Sequence, residues 1–484
     1  MIPRNNPLSM SVARLVSMIS EKPMENTSTD PENNMSIDSL IDAQQRYFSS
    51  GKTRSISARR ASLDRLECAI INRQDDMLIA LDQDLGKPGV EAYLAEYYFL
   101  LQELRLVKKS IKKWLKPRRV RSPIYFQPCR TEIRREAYGV TLIMAPWNYP
   151  VQLALSPLIA AVAAGNTVVL KPSEMATATE KLLVEIIEES FEKEHVTVVT
   201  GNASVAAQLL EKSFDFIFFT GSTGVGKIVA EKAAVNLIPT ILELGGKCPC
   251  IVDASVDVEM AARRILAGKF FNGGQTCFAP DFVVVHHSAK ARLIAAFERV
   301  MESAPWNEEM AHIINDHHYD RLLKLLAGAE IKQGEDDREK LRLAPRILTQ
   351  VGWGDTVMEE EIFGPILPVL EYSDPADLIQ QLSNYGSPLA MYLFSRDDGF
   401  QQFMMDSIRS GGVCINDTMK QGSQFHTPFG GVGDSGYGRY RGRAGVEALS
   451  YQRTVVKRAT WVSEMFELIP PYGEKLSWLK RFLR

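Results

Sequence analysis

From Ser36 to Lys116 apolar residues return every three or four positions. Ser62-Leu63-Asp64-Arg65-Leu66-Glu67-Cys68-Ala69-Ile70-Ile71, Leu78 to Leu85 and Tyr93 to Trp114 all follow this period, which predicts amphipathic helices. The last of them runs into Lys112-Lys113-Trp114-Leu115-Lys116-Pro117, a basic stretch before a proline that stops a helix. Residues 118 to 138 read as extended segments and turns. Ile124-Tyr125-Phe126 and Thr131-Glu132-Ile133 are short strand candidates there.

At Gly139 the rhythm changes to buried strand, turn, helix. Val140-Thr141-Leu142-Ile143-Met144 precedes a Pro/Trp/Asn turn and an Ala-rich helix to Ala164; Thr167-Val168-Val169-Leu170-Lys171-Pro172 precedes a helix to about Lys193. Val196 to Val199, Phe216 to Phe219 and Thr240 to Leu242 continue the set. Strands that are apolar throughout and alternate with helices imply an α/β fold, its mostly parallel sheet covered on both faces. A second round starts at Cys250-Ile251-Val252. It predicts helix 256–271, strand 282–285, helix 289–303, strand 366–372 and helix 375–383. Two such units predict two α/β domains with a cleft between them.

Composition narrows the class. At 484 residues, with 45% hydrophobic and 24% charged, the chain reads as a globular protein of two to three domains. A net charge of −3 gives no basic surplus, which excludes nucleic acid as its main partner. Six irregularly spaced cysteines (Cys68, Cys129, Cys248, Cys250, Cys277, Cys414) suit reduced thiols in a reducing compartment, read here as the cytoplasm. Cys248-Pro249-Cys250 lacks the second pair that a zinc site needs, so no metal is expected. The longest apolar run, Val151 to Ala164, is broken by Gln152, Ser156 and Pro157 and is too short to span a membrane. Residues 1–35 read as a disordered extension, with folded sequence beginning near Met35.

Several motifs fall at strand ends, where chemistry is placed in such sheets. In Ala145-Pro146-Trp147-Asn148-Tyr149-Pro150 the Asn148 amide can donate to a developing oxyanion; taken alone, it reads better as a turn residue tying its own backbone. Lys171-Pro172-Ser173-Glu174 offers a Lys able to reach a ribose hydroxyl, or merely a surface Lys. Phe219-Thr220-Gly221-Ser222-Thr223-Gly224-Val225-Gly226-Lys227 opens a helix with glycines that let backbone N–H groups approach a phosphate. Ile228 stands where a Walker loop has Ser or Thr, and Val229 breaks the dinucleotide fingerprint, so an atypical dinucleotide loop remains. Glu243, in Leu242-Glu243-Leu244-Gly245-Gly246, reads as half-buried and raised toward a usable base, where a lone Glu is ordinarily solvated. Cys277 closes Gly273-Gly274-Gln275-Thr276-Cys277, a bent backbone suited to a nucleophilic thiol, although most single cysteines are inert hydrophobes. Glu360-Glu361-Ile362-Phe363-Gly364-Pro365 and Pro428-Phe429-Gly430-Gly431-Val432-Gly433 are, singly, turns.

Taken together and in order, these motifs resemble the aldehyde dehydrogenase superfamily from about residue 36 to 484. Gly274-Gln275-Thr276-Cys277-x-Ala279-Pro280-Asp281 and Gly436-x-Gly438-x-Tyr440 are most similar to its class 3, or fatty-aldehyde, branch. The resemblance implies a Rossmann-like NAD(P)-binding domain over 36–245 and a catalytic domain over 246–440. It also implies an oligomerisation arm from 118–138 and the tail 441–484, and a homodimer. It implies Cys277 as nucleophile, Asn148 with the Cys277 N–H as oxyanion hole, and Glu243 as general base. Lys171 and Glu174 would hold the adenosine ribose, Trp147 and the Gly221–Gly226 turn with Ser222 would flank the cofactor, and Glu361 with Phe363 would position the nicotinamide ribose. The implied reaction oxidises a medium- or long-chain aliphatic or aromatic aldehyde to its acid, with NAD as cofactor and NADP as the alternative.

The chain departs from the branch at Cys248, at Gln421 and at Arg441, where a His is usual. The last two bear on substrate preference. The tail Glu474–Arg484 is amphipathic and reads as packing on a partner subunit or capping the substrate tunnel, with contact at a membrane surface as the lesser alternative. A CoA-acylating relative is the competing enzyme class, and Glu243 argues against it.

Overall fold

The first helix, Ile37–Ser49, is capped by Ser36, whose side chain accepts the Ser39 N–H at 3.2 Å. Helices Ile56–Asn72 and Gln74–Leu85 follow, the second closed by Gly86 in the left-handed conformation. The computed structural model describes residues 36–326, 328, 330–461, 470 and 472–482. The extension expected over 1–35 lies outside these, as do Leu483 and Arg484 of the expected tail.

Tyr93 to Trp114 is helical, as its period predicts, but not uniformly so. Tyr93–Tyr98 is a π-helical segment leading into the α-helix Phe99–Trp114, and the widened turn carries Glu96 wholly inside the protein. β1 (Arg118–Val120) and β2 (Cys129–Ala137) come next. Ile124–Phe126 is not the expected strand; it is a 3-10 turn, closed by Phe126 N–H to Pro123 O and Gln127 N–H to Ile124 O, both 3.0 Å. Prolines at 123 and 128 remove ladder donors on either side, which disfavours pairing there.

β3 (Val140–Met144), β4 (Thr167–Lys171), β5 (Val196–Val198), β6 (Phe216–Gly221) and β7 (Thr240–Leu244) form a parallel sheet in the order β7-β6-β3-β4-β5. Every residue of β3 and β4 is buried, and the helix Gln152–Ala164 behind them is buried along its whole length. Burying one such Val or Leu side chain contributes roughly 1.5–3 kcal/mol, which is why these segments read as unbroken apolar runs. Strand order reverses between β3 and β6, so a crevice opens beyond the carboxyl ends of these neighbours.

β8 (Pro249–Val252), β9 (Phe282–His286), β10 (Glu330–Lys332), β11 (Arg346–Leu348), β12 (Ile366–Tyr372), β13 (Ala390–Phe394) and β14 (Gly412–Ile415) build a second sheet, ordered β10-β11-β12-β9-β8-β13-β14. Only β10 runs antiparallel to its neighbour in it. β15 (Gly436–Tyr437) then returns to the first sheet, pairing antiparallel with β7 so that Gly436 faces Glu243. β16 (Ser450–Arg458) pairs along all nine residues of β2, completing a small three-stranded sheet with β1. The fold class is therefore the expected one: two mostly parallel α/β sheets and a small β arm. Ile143 and Phe218 from the first sheet share one continuous core with Val283 and Tyr392 from the second. Among the described residues no helix is long and apolar enough to cross a membrane.

Candidate active site

The thiol loop follows the helix Val258–Phe270. Asn272, Gly273 and Gly274 are successive left-handed residues, at φ 55°, 61° and 73°. A Cβ on Gly273 would lie 2.8 Å from the Ala311 carbonyl, and one on Gly274 would lie 2.3 Å from that of Gly364. Close approach as well as dihedral thus demands glycine. Each polar side chain of the loop is then tied down. Asn272 donates its amide to the carbonyls of Asn148 (3.0 Å) and Gln275 (3.2 Å). Gln275 donates to His312 O at 2.7 Å and accepts the Ile314 N–H at 3.1 Å, and Thr276 Oγ1 meets Tyr149 OH at 2.7 Å. What the loop presents is Cys277, on the wall of a cavity of about 610 Å³.

Asn148 is bound to that same loop. Its Nδ2 donates to Gln275 O at 2.9 Å, so the amide reaches across the chain and does not merely tie its own turn. An ion pair absent from the sequence reading supports it. Lys87 and Glu96, both fully buried, meet at 2.6 Å; Lys87 also donates to Asn148 O at 3.1 Å and stands 4.3 Å from the Tyr149 ring. The other Glu96 oxygen accepts the N–H groups of Val151 (3.1 Å) and Gln152 (2.9 Å), capping the helix that follows. In sequence Lys87 looks like an ordinary turn residue between Gly86 and Pro88 and Glu96 like a polar position of an amphipathic helix, and nothing in their spacing marks them.

Glu243 lies deeper than half-buried, with neither carboxyl oxygen hydrogen-bonded among the described residues. Burial drives its carboxyl well above the usual range, and the charges of Arg441 and Arg439 only partly oppose this. Glu361 comes from the turn between the 3-10 segment Thr356–Met358 and β12. Its carboxyl accepts the Gly246 N–H and presses on Gly245, where a Cβ would meet Oε2 at 1.9 Å. Burial, reinforced by Asp281, pushes Glu361 up to about 8. The turn itself is pinned: Asp281 accepts the Ile362 N–H at 2.9 Å and Lys247 Nζ at 2.6 Å, and Lys247 also donates to Glu360 O. The Cys277 thiol is raised too, by burial first and then by the charges of Glu361 and Glu243.

The remaining predicted residues line the crevice edge of the first sheet. Lys171 ends β4 and donates to Glu174 at 2.8 Å and Pro172 O at 2.9 Å. No hydrogen bond among the described residues joins this pair to the thiol loop. Trp147 and Phe363, 216 residues apart in sequence by their numbers, meet edge to face at 5.4 Å between ring centres. Ser222 caps the helix Thr223–Val235. A Cβ on Gly226 would strike Leu244 at 2.4 Å, whereas Gly224 faces open space at the helix N-terminus. Of the departures, Gln421 donates to Tyr392 OH at 3.2 Å, and Arg441 lines the cavity with Cys277.

Residues 20–455 match the Aldehyde dehydrogenase family. The chain is 38% identical over 446 residues to the 4,4'-diaponeurosporen-aldehyde dehydrogenase of Staphylococcus aureus, covering 90% of this chain and 97% of that one. It is 36% identical over 453 residues to aldehyde dehydrogenase family 3 member H1 of Arabidopsis thaliana, covering 91% and 93%. The solved substrate-bound state of Staphylococcus aureus AldH superposes with a TM-score of 0.90 at 37% identity, over 93% of this chain and all of that one. A solved PnpE complex with nicotinamide adenine dinucleotide has a TM-score of 0.81 at 25% identity, over 90% and 91%.

Proposed function

Because this chain belongs to the aldehyde dehydrogenase family, with class 3 members among its relatives, we propose that it oxidises aldehydes to carboxylic acids through Cys277. It is an oxidoreductase that uses NAD. The observation carrying the reading is that the thiol opens onto a large cavity from a loop whose backbone is tied to the Asn148 amide.

The residues at the crevice fit a dinucleotide. Gly224 leaves the N-terminal turn of the helix Thr223–Val235 open, as phosphates require, and the Lys171–Glu174 pair stands at the neighbouring strand end. Lys171 and Glu174 would hold the adenosine ribose, Ser222 and the Gly221–Gly226 turn the phosphates, and Trp147, Glu361 and Phe363 the nicotinamide end. A Glu174 carboxylate suits a 2′-hydroxyl better than a 2′-phosphate, which favours NAD over NADP. When bound, NAD supplies the oxidant that takes up the hydride leaving the aldehyde carbon.

The chain's own groups do the rest. Cys277 gives its thiol proton to water, Sγ adds to the aldehyde carbon, and the Asn148 amide with the Cys277 N–H steadies the oxyanion of the thiohemiacetal. After oxidation the acyl group is a thioester on Cys277. Glu243 takes the proton from the water that hydrolyses it, releasing the acid and the thiol. The aromatic cavity wall supports medium- or long-chain aliphatic and aromatic aldehydes. Residues 36–245 would form the cofactor domain, 246–440 the catalytic domain, and 118–138 with 441–484 the arm of a cytoplasmic homodimer; the β2–β16 pairing supports that arm. The tail helix Lys475–Phe482 would pack on the partner subunit or cap the tunnel.

The test is absorbance at 340 nm with NAD and an unbranched medium-chain aldehyde, with the product identified. Free acid in the presence of CoA supports the reading. No NADH, or acyl-CoA in place of acid, overturns it.

A further inference from the structure

Arg441 is a buried cation with its donors unused. Only 3% of it is exposed, yet its guanidinium makes no hydrogen bond among the described residues, and Nε and Nη1 are both enclosed without a partner. The turn Tyr440-Arg441-Gly442 holds it there, with Arg441 at φ 83° and Gly442 at φ 46°. Three rings surround the guanidinium carbon: Phe99 at 4.4 Å, Tyr440 at 4.9 Å and Phe429 at 5.4 Å. Their faces attract a cation but accept no N–H in its plane. Two acids stand near it: Glu243, whose carboxyl feels the Arg441 charge without a hydrogen bond to it, and Glu103, 4.0 Å from Nη1, its oxygens already accepting the Gly442 N–H (2.7 Å) and the Ser156 hydroxyl (2.5 Å). A buried guanidinium without acceptors is unfavourable, and a carboxylate is the acceptor that fits its planar fork.

The cavity Arg441 lines is the one that holds Cys277. Its other charged residues agree in sign: Arg263, Arg264 and Lys420 also line it, against the single acid Asp417. A cavity of one sign gathers ligands of the other. The path from thiol to guanidinium is short. Phe278, next to Cys277, meets Phe429 at 5.5 Å between ring centres, and Phe429 is one of the three rings around Arg441.

We propose that Arg441 receives an anionic group of the substrate, so that the aldehydes this enzyme takes are oxo-acids: chains with an aldehyde at the reacting end and a carboxylate several carbons away. This rests on the aldehyde-oxidising reading above and adds the substrate class to it. In the bound state the carboxylate meets the edge of the guanidinium that lines the cavity, and the aldehyde carbon lies at Cys277 Sγ.

The test compares unbranched oxo-acids of about four to ten carbons with alkanals of equal length, using NAD and reading kcat/KM. At a matching length the wild type favours the oxo-acid by on the order of tenfold or more, the effect of one charge-assisted contact. Arg441→Met brings that ratio near one, and Arg441→Lys keeps part of it. A saturated dicarboxylate of the preferred length raises the melting temperature of the wild type and not of Arg441→Met. Alkanals used as well as oxo-acids at every length by the wild type, or a ratio unmoved in Arg441→Met, overturns the proposal. Should Arg441→Met not fold, the wild-type ratio and the dicarboxylate shift decide. Should neither kind of aldehyde give NADH, the aldehyde-oxidising reading falls, and the dicarboxylate shift alone still decides whether Arg441 binds an anion.

Discussion

Glu243 points its carboxyl at the bare backbone of Gly430, so closely that a methyl group there would lie 2.8 Å from Oε1. The two residues come from β7 and from a Gly/Pro turn near the end of the chain. With no hydrogen bond to either oxygen, burial keeps the proton on the carboxyl well past the pH at which a solvated Glu releases it. For Glu243 to act as the proposed base, water or the acyl-enzyme must first reach the carboxyl and relieve the burial that holds its proton.

Replacing the base separates the two halves of the proposed reaction. Glu243→Gln should leave a rapid first turnover of NADH and slow the steady state by on the order of a hundredfold or more, because only thioester hydrolysis needs the carboxylate. Stopped-flow absorbance reads both phases. Loss of the burst would assign Glu243 to thiol activation.

Cys277→Ala should end NADH formation while NAD still binds, measured by calorimetry. A finer prediction concerns thiol charge. Negative charge on Glu361 disfavours the thiolate, so Glu361→Gln should lower the Cys277 pKa and speed alkylation by iodoacetamide at pH 9, where the wild-type carboxyl is ionised. An unchanged or slower rate would mean that the carboxylate does not act on the sulfur.

The Lys87–Glu96 pair should matter more for holding Asn148 than its distance from the thiol suggests. Lys87→Met strands a buried carboxylate and should cost about 3–5 kcal/mol of stability. It should also lower kcat as the Asn148 turn loosens. Adding Glu96→Gln to it should recover part of the stability, read by chemical denaturation; a double mutant no better than the single would refute an unpaired charge as the cause.

Glu361 gives stability a pH dependence of known sign. Its folded pKa, about 8, is raised above the unfolded value of 4.5. Between these the folded protein holds a proton that the unfolded chain has released, so stability falls as pH rises, by at most about 1.4 kcal/mol per unit. This contribution is complete below pH 4.5 and lost through pH 8. Glu361→Gln should flatten the melting temperature across that window and raise it at pH 9. An identical slope in the mutant would rule Glu361 out as its source.

How legible was this in the sequence? β3, β4, β6 and β7 announce themselves because both faces of each are buried, so apolar character is continuous and independent of partners. Ile124–Phe126 carries the same apolar content, and its flanking prolines decide against a strand. The short β10, β11 and β14 lack enough residues for any period, and they exist by pairing with neighbours far along the chain. For the site, motif order proposes Cys277, Glu243 and Asn148, and the glycines around the thiol read correctly as a bent backbone. The burial of Lys87, Glu96 and Arg441 was hidden, since a charge enclosed by tertiary packing looks in sequence like one facing water. The unoccupied donors of Arg441 appear only once Phe99, Tyr440 and Phe429 have been folded around it.

β15 sits opposite Glu243 although 193 positions separate Gly436 from it. During synthesis, then, the strand bearing Glu243 waits for residue 436 to leave the ribosome before its edge is covered. Termination between Cys277 and Gly436 yields a chain that carries the thiol yet leaves the edge of the Glu243 strand uncovered.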